Sequence, residues 1–111
     1  MIDLQSHSTV SDGQLEPADV VRSAAEAGID VMALTDHDGV AGVPAAMATA
    51  SELGIECVPA IEMSCVHKYS EDLHICGYWV DLEKIQPACD RAQQERVDRA
   101  KAIIALSLIH I

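Results

Sequence analysis

The stretch Ile29-Asp30-Val31-Met32-Ala33-Leu34-Thr35-Asp36-His37-Asp38-Gly39 decides how the chain is read. Its mostly apolar first part has the length of a buried strand, and it opens onto two acids, a histidine and a glycine. Upstream, Ala18 to Ala27 carries Val20, Val21, Ala24 and Ala27 at helical spacing. Pro17 sits where a first helical turn tolerates a missing N–H, and Gly28 closes the segment. Downstream, Pro44 to Leu53 is Ala-rich and again ends at a glycine, Gly54. Further out, Ile2-Asp3-Leu4-Gln5 and Ile55 to Ile61 read as strands. After a polar stretch from His67 to Asp72, Leu73-His74-Ile75-Cys76-Gly77-Tyr78 reads as a fourth. From Asp81 or Glu83 to about Leu108 the pattern is one long helix with alternating charges. Strand, helix, strand, helix, strand with short connections predicts an α/β fold built from βαβ units around a parallel sheet.

Composition narrows the function classes. Of 111 residues, 50% are hydrophobic and only 3% aromatic, with no Phe, so the core is expected to be Ala, Val, Ile and Leu. That apolar fraction excludes disorder. Seven Lys and Arg against eighteen Asp and Glu give a net charge of −11. A grip on nucleic acid needs clustered cations, so no stable nucleic-acid complex is expected. No apolar run approaches the ~20 residues that span a bilayer, and no membrane partner is expected. Cys57, Cys65, Cys76 and Cys89 form no C-x-x-C and read as reduced core thiols, consistent with a cytoplasmic setting. Tyr78 and Trp79 read as packing at a strand end. The sequence leaves the oligomeric state open.

In parallel α/β folds the residues just past the strand C-termini line the functional face. Four strand candidates deliver a metal-competent side chain at or near that edge: His7, His37, Glu62 and His74. Imidazole and carboxylate donors suit Zn²⁺, Mn²⁺ or Fe²⁺ without a thiol. Gln5 and His7 are two apart and leave the same side of the chain if the strand continues that far. Asp12 follows in a glycine-supported loop. Asp36 and Asp38 flank His37, and either could orient its ring. Each residue alone has a plainer explanation. A lone histidine after a strand is more often a surface or satisfied core residue, and His67 and His110 are read that way. Asp12-Gly13 alone is a turn, Asp36 to Gly39 a helix start, and Glu62 a solvent-facing strand end. Coincidence at four successive strand ends is what the plainer readings explain poorly.

Ile2-Asp3-Leu4-x-x-His7-Ser8-Thr9-x-Ser11-Asp12-Gly13, then Ala33-Leu34-Thr35-Asp36-His37-Asp38 with Gly42, Ile61-Glu62, and Leu73-His74-Ile75-x-Gly77-Tyr78 together resemble the PHP (polymerase and histidinol phosphatase) family. The resemblance covers about residues 1–81 and is nearest to the stand-alone hydrolases of nucleotide phosphoesters. It implies a distorted (β/α)7 barrel with two or three divalent ions (Mn, Zn or Fe) at the C-terminal face of the strands. By position it implies His7, Asp12, His37, Glu62 and His74 as metal ligands, with Glu62 bridging two ions and Asp36 and Asp38 in support. The implied activity is hydrolysis of small phosphorylated substrates, nucleotide bisphosphates or short oligonucleotides, by metal-activated water. Histidinol-phosphatase-like or polymerase-associated members are alternatives within the family, and a degenerate, non-catalytic module is an alternative outside catalysis. A small α/β domain with fortuitous histidines would bind no transition metal.

Two departures from the family pattern matter. The first histidine of its His-x-His pair is Gln5 here, a neutral and poorer donor, so one metal position is expected to be weak or empty. A barrel of this kind needs about 200 residues or more. Residues 1–111 are therefore expected to be the N-terminal part of a single PHP domain, about four strands of an unclosed barrel. Alone, such a piece is expected to be marginally stable and nearly inactive.

Overall fold

The computed structural model describes residues 1–67 and 69–109, except for the side chains of His67, Ser70, Glu71 and Asp72. In chain order the elements are β1 (Ile2–Asp3), α1 (Pro17–Glu26), β2 (Val31–Leu34), α2 (Val43–Leu53), β3 (Glu56–His67), β4 (Ser70–Tyr78) and α3 (Leu82–Ile109). They form a mixed α/β unit whose single sheet has the order β1-β2-β3-β4. The pairs β1–β2 and β2–β3 are parallel, as the βαβ pattern predicts.

The pair β3–β4 is antiparallel, which corrects the expectation of a uniformly parallel sheet. Its physical basis is the connection, which is a hairpin too short to hold a crossover helix. The polar stretch from His67 to Asp72 is not a separator: His67 closes β3 and Ser70 opens β4. Val66, near this end of β3, is 86% exposed.

Boundaries follow local chemistry. β1 stops at Asp3, earlier than the sequence suggests, because the Asp3 carboxylate accepts the Gln5 N–H at 3.1 Å and turns the chain. Pro17 opens α1 at its first position. Gly54 ends α2 in the left-handed region (φ 73°), which favours glycine. Asp81 caps α3, its carboxylate accepting the N–H groups of Glu83 and Lys84, each at 3.1 Å.

Alternation along the strands sorts the side chains onto two faces. Met32, Leu34 and Cys57 pack outward against Val21 of α1 and Ala46 and Ala50 of α2. Ile61 and Met63 continue that outer face toward Val40, Val43 and Cys89 of α3. The inner face carries Ala33, Val58 and Ala60, with Tyr78 against them. Because Val58 and Ala60 are small, the inner face keeps room for larger side chains beyond them on β3. Trp79, expected to pack, is instead 73% exposed and takes a positive φ of 53° where the chain turns out of β4. No helix among the described residues is long and apolar enough to cross a membrane.

Candidate metal centre

Strand alternation carries the inner face from Val58 and Ala60 to Glu62, so this carboxylate points inward and is 5% exposed. Antiparallel pairing places Cys76 directly opposite Glu62, and His74 opposite Ser64 one step further along the same face. Past the end of β2 the chain keeps one more bridge, His37 with Glu62. The Glu62 N–H donates to the Asp36 carbonyl (3.1 Å) and the Asp38 N–H to the Glu62 carbonyl (3.0 Å). That bridge turns His37 inward, and by alternation turns Asp36 and Asp38 to the opposite side.

Asp36 and Asp38 are both buried, at 2% and 1% exposure, and their carboxylates hold neighbouring chain. Asp36 accepts the Ser8 N–H (2.6 Å), the Ser8 hydroxyl (2.6 Å) and the Ser11 hydroxyl (2.8 Å). It thereby anchors the loop that carries His7 and Asp12. Asp38 accepts the Ser64 N–H at 2.7 Å and pairs with the Arg96 guanidinium of α3, while Gln93 donates to the Asp38 carbonyl at 3.1 Å. The loop closes tightly: the Gly13 N–H donates to the Ser8 carbonyl at 2.8 Å. A Cβ at Gly13 would lie 2.3 Å from the His7 carbonyl oxygen, so only glycine fits that close approach.

The structure brings all five of the other candidate residues together. Glu62 Oε2 lies 2.8 Å from His37 Nδ1 and 3.6 Å from His74 Nδ1, and Glu62 Oε1 lies 4.0 Å from His7 Nε2. Asp12 reaches across two imidazoles, 3.3 Å from His7 Nδ1 and 3.2 Å from His37 Nε2. The rings of His7 and His37 stack with centroids 4.6 Å apart, and His74 meets His37 edge-on at 5.2 Å. Desolvation is the largest single influence on the Asp12 carboxyl and pushes it up, but His37, His7 and hydrogen bonds from its own N–H and the Ser11 hydroxyl together hold it below the ordinary value. A cleft of about 520 Å³ opens over this group, lined by Val10, Ser11, Asp12, His37, His74 and Arg96.

His7, His37 and Glu62 each offer a donor atom, all within 4.8 Å of one another. His7 Nδ1 and His37 Nδ1 are buried without a hydrogen-bond partner among the described residues. The 2.8 Å approach of His37 Nδ1 to Glu62 Oε2 is a close contact that does not meet hydrogen-bond geometry. Buried ring nitrogens without hydrogen bonds, beside carboxylates, are what a divalent cation would satisfy, and the donor set fits one.

Three contacts of the site were not anticipated from the sequence. Gln5 Nε2 donates to Glu62 Oε1 at 2.6 Å, an inward-facing role beyond that of a missing ligand. Cys76, read as a core thiol, lies beside the centre, its Sγ 3.7 Å from Glu62 Oε1, while Cys57 and Cys89 are buried as expected. Burial pushes the Cys76 thiol up, and the Glu62 charge adds to this, so it stays protonated. A period-2 count from His74 would have found Cys76. Arg96 reaches Asp38 from 58 residues away and left no local signal. The side chain of His67, and His110, lie outside the described residues.

The chain matches the family model for the PHP domain over residues 3–107. It belongs to that family. Among curated relatives, a 5'-3' exoribonuclease from Haemophilus influenzae is 40% identical over 85 residues, covering 77% of this chain and 30% of the relative. A 3',5'-nucleoside bisphosphate phosphatase from Chromobacterium violaceum is 40% identical over 102 residues, covering 90% of this chain and 35% of the relative. A structure from Chromobacterium violaceum, described as an amidohydrolase with bound sulfate and no metal, superposes with a TM-score of 0.85 at 32% identity. That superposition covers 99% of this chain and 39% of the other. The PHP chain thus spans about a third of the length of these two curated relatives.

Proposed function

We propose that this chain carries the N-terminal part of a metal-dependent phosphoesterase centre. Its substrates are small phosphorylated compounds, nucleotide bisphosphates or short oligonucleotides. The observation that carries the reading is the convergence of His7, His37 and Glu62 within 4.8 Å, with two ring nitrogens left without hydrogen bonds. Asp12 and His74 complete the donor set from the exposed side. A phosphatase and an exoribonuclease among the relatives share one substrate chemistry, a phosphoester of a nucleotide.

Divalent ions held there would lower the pKa of a bound water and neutralise charge on the attacked phosphoryl group. The chain's own residues do the rest. Asp36 fixes the loop bearing His7 and Asp12, so the donors are in place before substrate arrives. Arg96, pinned by buried Asp38 and lining the cleft, offers a fixed positive group to an anionic substrate in an otherwise acidic chain. Mn, Zn and Fe all suit these donors. The four free cysteines fit a reducing compartment such as the cytoplasm.

The test is phosphate release from a nucleoside 3',5'-bisphosphate by the intact protein loaded with Mn²⁺. Activity is expected, with loss on chelation and in His37→Ala. Tight Mn²⁺ binding with no hydrolysis of bisphosphates or oligonucleotides would leave a non-catalytic module instead.

A further inference from the structure

Glu62 has two oxygens with different surroundings. Oε2 faces the imidazoles of His37 (2.8 Å) and His74 (3.6 Å). Oε1 receives two hydrogen-bond donors, the Gln5 amide at 2.6 Å and the Cys76 thiol at 3.7 Å. The Gln5 amide donates through Nε2, so its NH₂ faces the carboxylate and its oxygen faces away. A carboxylate oxygen has about two lone-pair directions. Gln5 and Cys76 take both on Oε1.

We infer that Gln5 sets the number of ions in this centre. Its amide, together with Cys76, occupies Glu62 Oε1, so Glu62 serves as a one-oxygen ligand and not as a bridge between two ions. This inference rests on the metal reading above and deepens it. A bridging carboxylate needs one free oxygen for each ion, and here only Oε2 is free. The neutral Gln5 oxygen, turned away from Glu62, does not replace the missing imidazole. Gln5 is thus a positioning residue that holds the Glu62 carboxylate toward His37 and His74.

The experiment is metal counting on the intact protein after equilibration with Mn²⁺ and removal of free ion, paired with calorimetric titration of Mn²⁺ alone. Gln5→His removes the clamp and adds a ligand, and is expected to gain one ion per chain. Gln5→Leu removes the clamp and adds nothing. It is expected to keep the native ion count and bind roughly 10–100-fold more weakly, the usual cost of losing a partner that orients a ligand. Gln5 is exposed, so both variants should fold; if Gln5→Leu does not, Gln5→Asn, one methylene short of Glu62, repeats the test. An unchanged ion count in Gln5→His, or unchanged Mn²⁺ affinity in Gln5→Leu, overturns the inference. Absence of Mn²⁺ binding in the native protein and all variants overturns the metal reading itself, a distinct result.

Discussion

On the parallel side of the sheet, His7, Asp12 and His37 come from chain that has just left a strand. On the antiparallel side, Glu62 and His74 come from within β3 and β4, where ladder pairing already fixes their direction. The two sides therefore depend on different things. Strand-borne donors need only the correct register, because a one-residue slip would turn Glu62 and His74 to the other face. Loop-borne donors need anchors, and Asp36 supplies them by accepting three hydrogen bonds from Ser8 and Ser11. The buried acids beside His37 hold the loop, β3 and α3.

That contrast can be broken from either side. The largest effect is expected at Glu62, which lies near the imidazoles of His7, His37 and His74. Glu62→Gln should lower Mn²⁺ affinity by more than the roughly 10–100-fold typical of losing a ligand's partner, while the strand stays paired. Titration calorimetry beside circular dichroism would measure both. Next comes Asp36→Ala, which leaves the Ser8 N–H and two hydroxyls without their acceptor. A loss of about 3 kcal/mol in urea unfolding is expected, with weakened metal binding as a consequence. A change below about 1 kcal/mol would mean that the loop holds itself.

Arg96→Met should cost less. Its side chain is 54% exposed, and Asp38 keeps the Ser64 N–H, so about 1–2 kcal/mol is expected rather than the full cost of opening a buried pair. Faster amide exchange in α3 than in β3 would mark the released contact. The smallest effect is expected at Trp79→Gly. An exposed side chain is lost and a positive φ is relieved, so stability should stay within about 0.5 kcal/mol.

The parallel side was the legible one. Its strands, helices and glycine stops follow local periodicity, and its candidate residues lie past strand ends, where the parallel α/β rule looks for them. The antiparallel side was legible in its residues but not in its geometry. Glu62 and His74 were recognisable as candidates, yet the hairpin that puts them within strands depends on pairing between β3 and β4, which no local pattern encodes. Cys76 was misjudged for the same reason: its neighbours Ile75 and Gly77 look like core, while its partner across the ladder is Glu62. Asp36 and Asp38 were legible as supporting candidates, but not the chain they hold, because alternation at the end of β2 depends on one further bridge to β3. Trp79 shows the limit of composition. A large apolar side chain at a strand end looks like packing until backbone geometry turns it to solvent.

One measurement bears most directly on the centre: anomalous diffraction from crystals of the intact protein loaded with Mn²⁺. A peak within about 2.3 Å of a ring nitrogen of His7 and of His37 and of Glu62 Oε2 is expected, from typical ligand distances. Loaded crystals that show Mn²⁺ elsewhere on the surface, with His7, His37 and Glu62 free of it, would contradict a metal centre here.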